Sequence, residues 1–252
     1  MTKSHLAAAA VLFLATTGLA GAKDWTTVRI GSEGAYPPFN SIDSNNELQG
    51  FDIDIAKALC EKMQVECTFV TQDWDGMIPA LTSGKYDAII ASMSITDERK
   101  QVIDFTDKYY TNSLTFVASD ESGFTAVGPA DLAGKTLGAQ SSTVSATFLE
   151  ENYGESDIKL YPTQDEAYLD LANGRLDAVL ADVGPSNLWL STDAGSCCGF
   201  VGDAVVKDDV IGIGLRKDDQ DLKEMFNKAI AEILADGTYQ KINEKYFPFS
   251  IY

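Results

Sequence analysis

Short apolar runs alternate with stretches whose apolar residues recur at helical spacing along almost the whole chain. Residues 28–31 and 67–71 have the composition of strands, whereas residues 51–63 and 222–247 have the pattern of helices. The same alternation fills residues 136–181. Because parallel strands need a long crossover, usually a helix, this order predicts an α/β fold with parallel sheets covered by helices on both faces.

Two extended segments of mixed polarity suggest that the chain forms two lobes. These segments are residues 108–117 and 205–215, and each could carry the chain between lobes. Such crossings make natural hinges. We therefore predict a first lobe built from residues 23–112 and 208–252, with residues 113–207 inserted as a second lobe.

The N-terminus has the three parts of a secretory signal peptide. Lys3 supplies a positive start, residues 7–15 an apolar centre, and Ala20-Gly21-Ala22 a small-residue cleavage site. The apolar centre is too short to span a membrane. We expect residues 1–22 to be removed near Ala22 and the rest of the chain to be exported.

The formal net charge of −19 makes the chain strongly acidic. An acidic protein repels phosphate backbones, so nucleic acid is not an expected partner. The charge either attracts cations over long range or simply keeps an exported protein soluble. The spacing of the His and Cys residues predicts no metal site.

Four cysteines fit an exported protein. Cys60 ends a helical pattern and Cys67 begins a strand, so a bridge between them would staple a short turn. Export favours this bridge over two free buried thiols. The adjacent Cys197 and Cys198 could form a strained bridge, stay reduced or pair between molecules, and the sequence does not decide among these.

Polar and aromatic side chains cluster where predicted strands end. In open α/β sheets, ligands bind at the carboxyl ends of the strands. The candidates with this placement are Glu33 and Tyr36 after the first strand, Trp74 after the second, Ser92, Ser94 and Arg99 after the strand 88–91, Ser142 and Thr143 after the strand 136–139, and Asp182 after the strand 176–181.

One part of this set suits a carboxylate. Arg99 follows the start of a predicted helix at residues 98–103, and its guanidinium offers a flat bidentate fork. Ser142 and Thr143 precede another helix, whose N-terminus adds N–H donors and positive potential. Taken singly, Arg99 could be a solvated helix residue, and the hydroxyl residues could be plain N-caps.

The other part suits cations. Asp182 directly ends an apolar strand, where a carboxylate needs a partner, and with the Ser92 hydroxyl it could hold an ammonium group. Glu33 could meet a second, distal cation, and Tyr36 and Trp74 could sandwich a flat guanidinium. The alternatives are a helix cap at Asp182, a surface acid at Glu33 and ordinary core aromatics.

Six motifs together resemble a known family, the periplasmic solute-binding proteins of polar amino-acid ABC transporters. The similarity is to the lysine/arginine/ornithine- and histidine-binding proteins of solute-binding family 3. The motifs are residues 33–39 (EGAYPPF), 50–54 (GFDID), 74–79 (WDGMIP), 92–99 (SMSITDER), 174–178 (GRLDA) and 214–217 (GLRK).

This resemblance implies a type II periplasmic-binding-protein fold with two lobes, two hinge crossings and no cofactor. It implies a binding protein rather than an enzyme, monomeric, periplasmic and in transient contact with a membrane-embedded permease. The Cys60/Cys67 pair matches a family disulfide. The implied roles are Arg99, Ser94 and Thr143 for the α-carboxylate, Ser92 and Asp182 for the α-ammonium, and Glu33, Tyr36 and Trp74 for the side chain.

Several positions depart from the commonest family pattern. Glu33 stands where many relatives have Asp, and Trp74 stands where Phe is frequent. Ala91 replaces a Ser, and Val144 replaces a polar residue. The combination of Glu33, Tyr36 and Trp74 is similar to that of arginine binders and also to that of opine (nopaline, octopine) binders, but the presence of Asp182 favours an ordinary amino acid. We expect arginine first, then lysine or ornithine, with histidine and glutamine weaker. A cyclohexadienyl-dehydratase-like enzyme is the rival on the same fold, with Glu33 as its one obvious acid or base.

Overall fold

The computed structural model of this chain describes residues 23–252, so the predicted signal peptide lies outside the described residues. The strands are β1 (Thr27–Ser32), β2 (Ala35–Tyr36), β3 (Asn40–Ile42), β4 (Leu48–Gln49), β5 (Glu66–Thr71), β6 (Ala88–Ile89), β7 (Asp104–Ser119), β8 (Thr136–Gln140), β9 (Asp157–Tyr161), β10 (Ala178–Asp182) and β11 (Cys198–Leu215). The helices are α1 (Phe51–Met63), α2 (Met77–Thr82), α3 (Asp97–Lys100), α4 (Val144–Asn152), α5 (Gln164–Ala172), α6 (Val183–Leu190), α7 (Gln220–Ala235) and α8 (Thr238–Tyr246), with a 3₁₀ turn at Trp74–Gly76.

The main sheet has the strand order β5-β1-β6-β11-β7-β10-β8-β9. Its outer strands pair in parallel, namely β1 with β5 and β6, and β8 with β9 and β10. The two central strands are antiparallel to each other and to their neighbours, because they carry the chain across in opposite directions. The α/β prediction with parallel-rich sheets is therefore confirmed.

The two crossings are longer than the sequence pattern predicted. The strand expected at residues 211–215 begins at Cys198, and β7 begins at Asp104. Pairing between β7 and β11 extends the strands through polar residues such as Asn112 and Asp209, which lie opposite each other. The sheets expected separately in each lobe are consequently one continuous sheet.

Hydrophobic cores lie on both sides of these crossings. One large core contains Phe51, Tyr110 and Phe226. Another contains Phe116 and Leu149 from the inserted part of the chain. We call the part with β1, β5, β6, α1–α3, α7 and α8 the first lobe, and the part with β8–β10 and α4–α6 the second lobe. The predicted lobe boundaries at residues 112/113 and 207/208 stay a prediction.

Several predicted elements are shorter in the structure. The single helix expected at residues 222–247 is divided into α7 and α8, because Gly237 adopts a left-handed φ of 79° that interrupts the first helix. The helix expected at residues 98–103 is the single turn α3, after which the chain enters β7. The strand β6 ends at Ile89, and the backbone of Ser94 then bridges to Ile211 of β11.

Both cysteine pairs form disulfides. Cys60 and Cys67 are joined as expected, which ties the end of α1 to β5. Cys197 and Cys198, which the sequence left open, are also joined to each other. No helix within residues 23–252 is long and apolar enough to cross a membrane.

Candidate ligand-binding site

A cavity between the two lobes contains most of the predicted site residues. The space that protein atoms leave unfilled there is about 400 Å³, part of which is open to solvent. Its wall includes eight of the nine predicted residues: Glu33, Tyr36, Trp74, Ser92, Ser94, Arg99, Thr143 and Asp182. The ninth, Ser142, borders a neighbouring groove.

Arg99 is held by backbone carbonyls rather than by an acid. Its Nη1 donates to the Ser94 carbonyl (2.9 Å) and its Nη2 to the Ser142 carbonyl (3.0 Å). The Trp74 ring lies 5.4 Å from the guanidinium carbon. Because α3 is only one turn long, its helix dipole contributes little at this position. The guanidinium is fixed and charged, with donors left for an anion in the cavity.

The N-terminus of α4 lies beside Arg99. Thr143 caps this helix, accepting from the Ala146 N–H (3.2 Å) and donating to the Gln140 carbonyl (2.7 Å). The Thr143 hydroxyl therefore makes its hydrogen bonds to the protein backbone, as expected for a plain N-cap. Thr143, Val144 and Ser145 line the cavity, so the unpaired N–H groups of the first turn are close to it. This helix end and Arg99 make one face of the cavity suitable for a carboxylate.

Asp182 lies on the cavity wall between β10 and α6. It occupies the N-cap position of α6 but makes no side-chain cap hydrogen bond, so the helix-cap alternative is wrong. Burial and the nearby Asp209 raise the pKa of Asp182 to about 7, although the facing Tyr36 hydroxyl and Asn112 amide oppose this. Such a carboxylate is poorly compensated by the protein and suits a cationic partner.

Glu33 is a buried acid at another part of the wall, only 8% exposed. It accepts a hydrogen bond from Gln140 Nε2 (2.6 Å). Burial raises its pKa to about 7, and the surrounding acids Asp165, Asp73 and Asp75 add to this, against the hydrogen bond from Gln140. The surface-acid alternative is therefore wrong.

The two aromatic residues are arranged differently from the expected sandwich. Trp74 packs over the protein's own Arg99 and donates from Nε1 to the Ser142 carbonyl (3.1 Å). Tyr36 stacks against Phe39, with the ring centres 6.3 Å apart. Both rings are 9% exposed and line the cavity, so each presents an edge or face to a ligand there.

Hydrogen bonds between the lobes hold the structure closed around the cavity. Four of them involve residues 140–142, at the end of β8 and just after it: Gln140 Nε2 donates to Glu33 (2.6 Å), Ser141 Oγ to Asp75 (2.9 Å), and Trp74 Nε1 and Arg99 Nη2 donate to the Ser142 carbonyl (3.1 and 3.0 Å). Ser142 therefore acts through its main chain, and its φ of 56° directs that carbonyl toward the first lobe.

Comparison with known proteins identifies the family. Residues 28–249 match the family model for bacterial extracellular solute-binding proteins, family 3. The chain belongs to this family. In this solute-binding protein, the cavity between the lobes lies where strands of the sheet end, which is where ligands bind in open α/β sheets.

Characterised relatives match over nearly the full chain. ABC transporter arginine-binding protein 1 of Escherichia coli K12 is 41% identical over 245 residues, covering 96% of this chain and 98% of that protein. The lysine/arginine/ornithine-binding periplasmic protein of the same strain is 42% identical over 262 residues, covering 100% and 99%. The structure of an ancestral arginine-binding protein bound to arginine superposes with a TM-score of 0.83 at 37% identity, covering 88% of this chain and 98% of that one. These relatives are binding proteins, not enzymes.

Three polar residues of this solute-binding protein's cavity were not predicted from the sequence: Gln140, Ser145 and Gln164. Gln140 is the last residue of β8, but its contact across the lobes has no sequence signature. Gln164 is the first residue of α5 and lies between Thr163 and Glu166 of a capping box, and that helix-start pattern could have marked it. Within the described part of the chain, no group of three or more His, Cys, Asp or Glu side chains is arranged to hold a metal ion.

Proposed function

We propose that this protein captures a cationic L-amino acid, arginine first and then lysine or ornithine, and delivers it to an ABC importer. One observation carries the proposal. Among residues 23–252, Glu33, Asp182 and Arg99 line one cavity and none of them has an ion-pair partner. Buried charges normally require partners, so a ligand with the complementary charges is expected.

Arginine carries those charges in a matching pattern. Its α-carboxylate is assigned to Arg99 and the N-terminus of α4, and its α-ammonium to Asp182 and Ser92. Its guanidinium is assigned to Glu33, with the Tyr36 and Trp74 rings lining the same cavity. A hydrogen bond to a charged group contributes about 1.5–3 kcal/mol, and micromolar affinity needs about −8 kcal/mol, so a handful of such contacts suffices.

Lobe closure is the proposed mechanism of capture. Arg99, Glu33 and Trp74 belong to the first lobe, whereas Thr143 and Asp182 belong to the second, so a ligand touches both sets only when the lobes meet. Binding therefore stabilises the closed state relative to the open one. The crossing strands β7 and β11 are the natural place for the bend.

A ligand panel tests this function. Bound ligand raises stability by mass action, by about 2.7 kcal/mol at a concentration one hundred times Kd. Thermal unfolding of residues 23–252 is measured with arginine, lysine, ornithine, histidine, glutamine, nopaline and octopine, with glutamate as the acidic control. We expect the largest increase in melting temperature with arginine. Absence of any increase with the three cationic amino acids would overturn the proposal, and an increase with an opine alone would reassign the ligand.

Arginine binding is also expected to release protons near pH 7. Without ligand, burial raises the pKa of Glu33 and of Asp182 to about 7. A bound cation favours the ionised carboxylate and lowers both pKa values, so the arginine affinity falls as the pH falls below about 7. The fall approaches about tenfold per pH unit for each proton displaced. Calorimetry in buffers of different ionisation enthalpy measures the release, and Glu33→Gln should retain only the part due to Asp182. Proton uptake on binding would contradict the assignment.

We further propose that the protein is exported to the periplasm after cleavage near Ala22, and that it acts as a monomer in transient contact with a membrane permease.

We also propose that it catalyses no reaction. A dehydratase would use Glu33 as its acid or base on a ligand without an α-ammonium, and Asp182 would then face no cation. Turnover of a cyclohexadienyl acid by the purified protein would refute this.

A further inference from the structure

Two serines of the cavity give their hydroxyl hydrogens to acids that lie behind the cavity wall. Ser92 Oγ donates to Asp52 Oδ2 (3.0 Å), and Ser94 Oγ donates to Asp209 Oδ2 (2.8 Å). Both serines line the cavity, whereas neither acid does. A hydroxyl has one hydrogen and two lone pairs. With the hydrogen used, each serine side chain can offer only lone pairs to a ligand.

Asp52 is built to accept and not to donate. It is fully buried, and it receives hydrogen bonds from Asn40 Nδ2 (2.9 Å), Ser92 Oγ (3.0 Å) and the Tyr109 hydroxyl (2.8 Å). Three neutral donors around one carboxylate hold it as an ionised acceptor. Ser92 itself has a φ of 54°, a left-handed conformation that fixes its direction relative to Asp52.

Asp209 has the same relation to Ser94 from the crossing strand β11. The backbone fixes the pair, because the Ile95 N–H donates to the Val210 carbonyl (2.8 Å) and the Gly212 N–H donates to the Met93 carbonyl (3.2 Å). The groups that face Asp209 are Arg99 from α3, Asp182 from the end of β10 and the Asn112 amide from β7.

We propose that Asp52 and Asp209 are positioning residues that hold the Ser92 and Ser94 hydroxyls as hydrogen-bond acceptors for the α-ammonium group of the ligand. This inference rests on the proposed function in that the ligand is an α-amino acid. It revises one assignment made from the sequence, because the Ser94 hydroxyl cannot donate to an α-carboxylate while Asp209 holds its hydrogen. Ser94 can donate to that carboxylate only through its backbone N–H.

The substitution Asp209→Asn tests the inference. Asparagine keeps the shape of the carboxylate but can present an N–H to Ser94, which frees the hydroxyl to turn its hydrogen toward the ligand. The measurement is made at about pH 8 because burial raises the pKa of Asp52 to about 6 and raises that of Asp209 as well. We expect L-arginine to bind about tenfold more weakly, as for the loss of one hydrogen bond to a charged group. 5-Guanidinopentanoate, which lacks the α-ammonium, should bind within about twofold of its wild-type affinity because it never uses this acceptor.

A double-mutant cycle with Ser94→Ala separates positioning from a direct effect of charge. If Asp209 acts through Ser94, Asp209→Asn has no further effect on arginine in the Ser94→Ala background. Asp208→Asn is the matched control, because Asp208 is the exposed neighbour on the same strand and its substitution removes the same charge. We expect that control to leave arginine binding unchanged.

The outcomes are distinct. Equal weakening of arginine and 5-guanidinopentanoate, or full additivity of the two substitutions, overturns the inference while the proposed function stands. Failure of the wild-type protein to bind any α-amino acid overturns both. Asp52→Asn with Ser92→Ala repeats the cycle at the second pair, and if Asp52→Asn does not fold, the Asp209 cycle decides alone.

Discussion

Arginine is expected to bind at least about thirtyfold more weakly when Glu33 is replaced by glutamine, because removing one member of a buried charge pair costs about 2–5 kcal/mol. The ligand L-glutamine carries no distal charge, so the affinity of the Glu33→Gln variant for L-glutamine should differ from that of the wild type by less than about threefold. The amide is chosen because its oxygen can still accept from Gln140 and preserve this contact between the lobes. Calorimetry at about pH 8 measures both ligands with Glu33 ionised in the wild type.

Asp165→Asn is the control for this prediction. Asp165 raises the pKa of Glu33 through space but does not line the cavity. Its substitution should change arginine affinity by less than about threefold, since exposed and distant charges are screened. Equal losses for arginine and glutamine in Glu33→Gln would show that Glu33 does not recognise the distal cation.

Substitution of Arg99 by alanine is expected to weaken every amino acid by a similar and large factor. The α-carboxylate would be left buried without its partner, at a cost of about 2–5 kcal/mol. Arg99→Lys should recover only part of this, because an ammonium cannot hold the Ser94 and Ser142 carbonyls while presenting a fork to the ligand. Calorimetric titration with arginine, lysine and glutamine checks that the loss is uniform.

Agmatine provides the decisive comparison for Arg99, since it is arginine without the carboxylate. Its affinity should change little in Arg99→Ala, apart from any effect of losing the hydrogen bond to Ser142. Arg175→Ala, on the exposed end of the second lobe, serves as the surface control. If agmatine and arginine weaken by the same factor, Arg99 holds the lobes together and does not bind the carboxylate.

The sequence predicted those features that depend on local pattern. Alternation of apolar runs and helical stretches was sufficient for the α/β fold, and strand-end placement brought Glu33, Ser92 and Asp182 to one cavity, because the carboxyl ends of neighbouring strands meet. The break between α7 and α8 was predictable in principle, since Gly237 stands there. It was missed because the apolar spacing continues across it.

Contacts that depend on the angle between the lobes had no sequence signature. The hydrogen bonds of Gln140 to Glu33 and of Ser141 to Asp75 join residues far apart in the chain. The hydrogen bonds of Ser94 and Asp209 likewise depend on how the segment after β6 runs along β11. Neither propensity nor periodicity reports such pairs, so the roles of the acids behind the cavity wall could not be anticipated.

The Ser142 carbonyl has a consequence for how proteins of this design diversify. Trp74 and Arg99 of the first lobe both donate a hydrogen bond to this one main-chain oxygen of the second lobe. Since every amino acid has a carbonyl, a substitution at this position retains the contact wherever the left-handed backbone is tolerated. Selection can therefore change the side chains that choose the ligand while the contact that closes the lobes is inherited with the backbone.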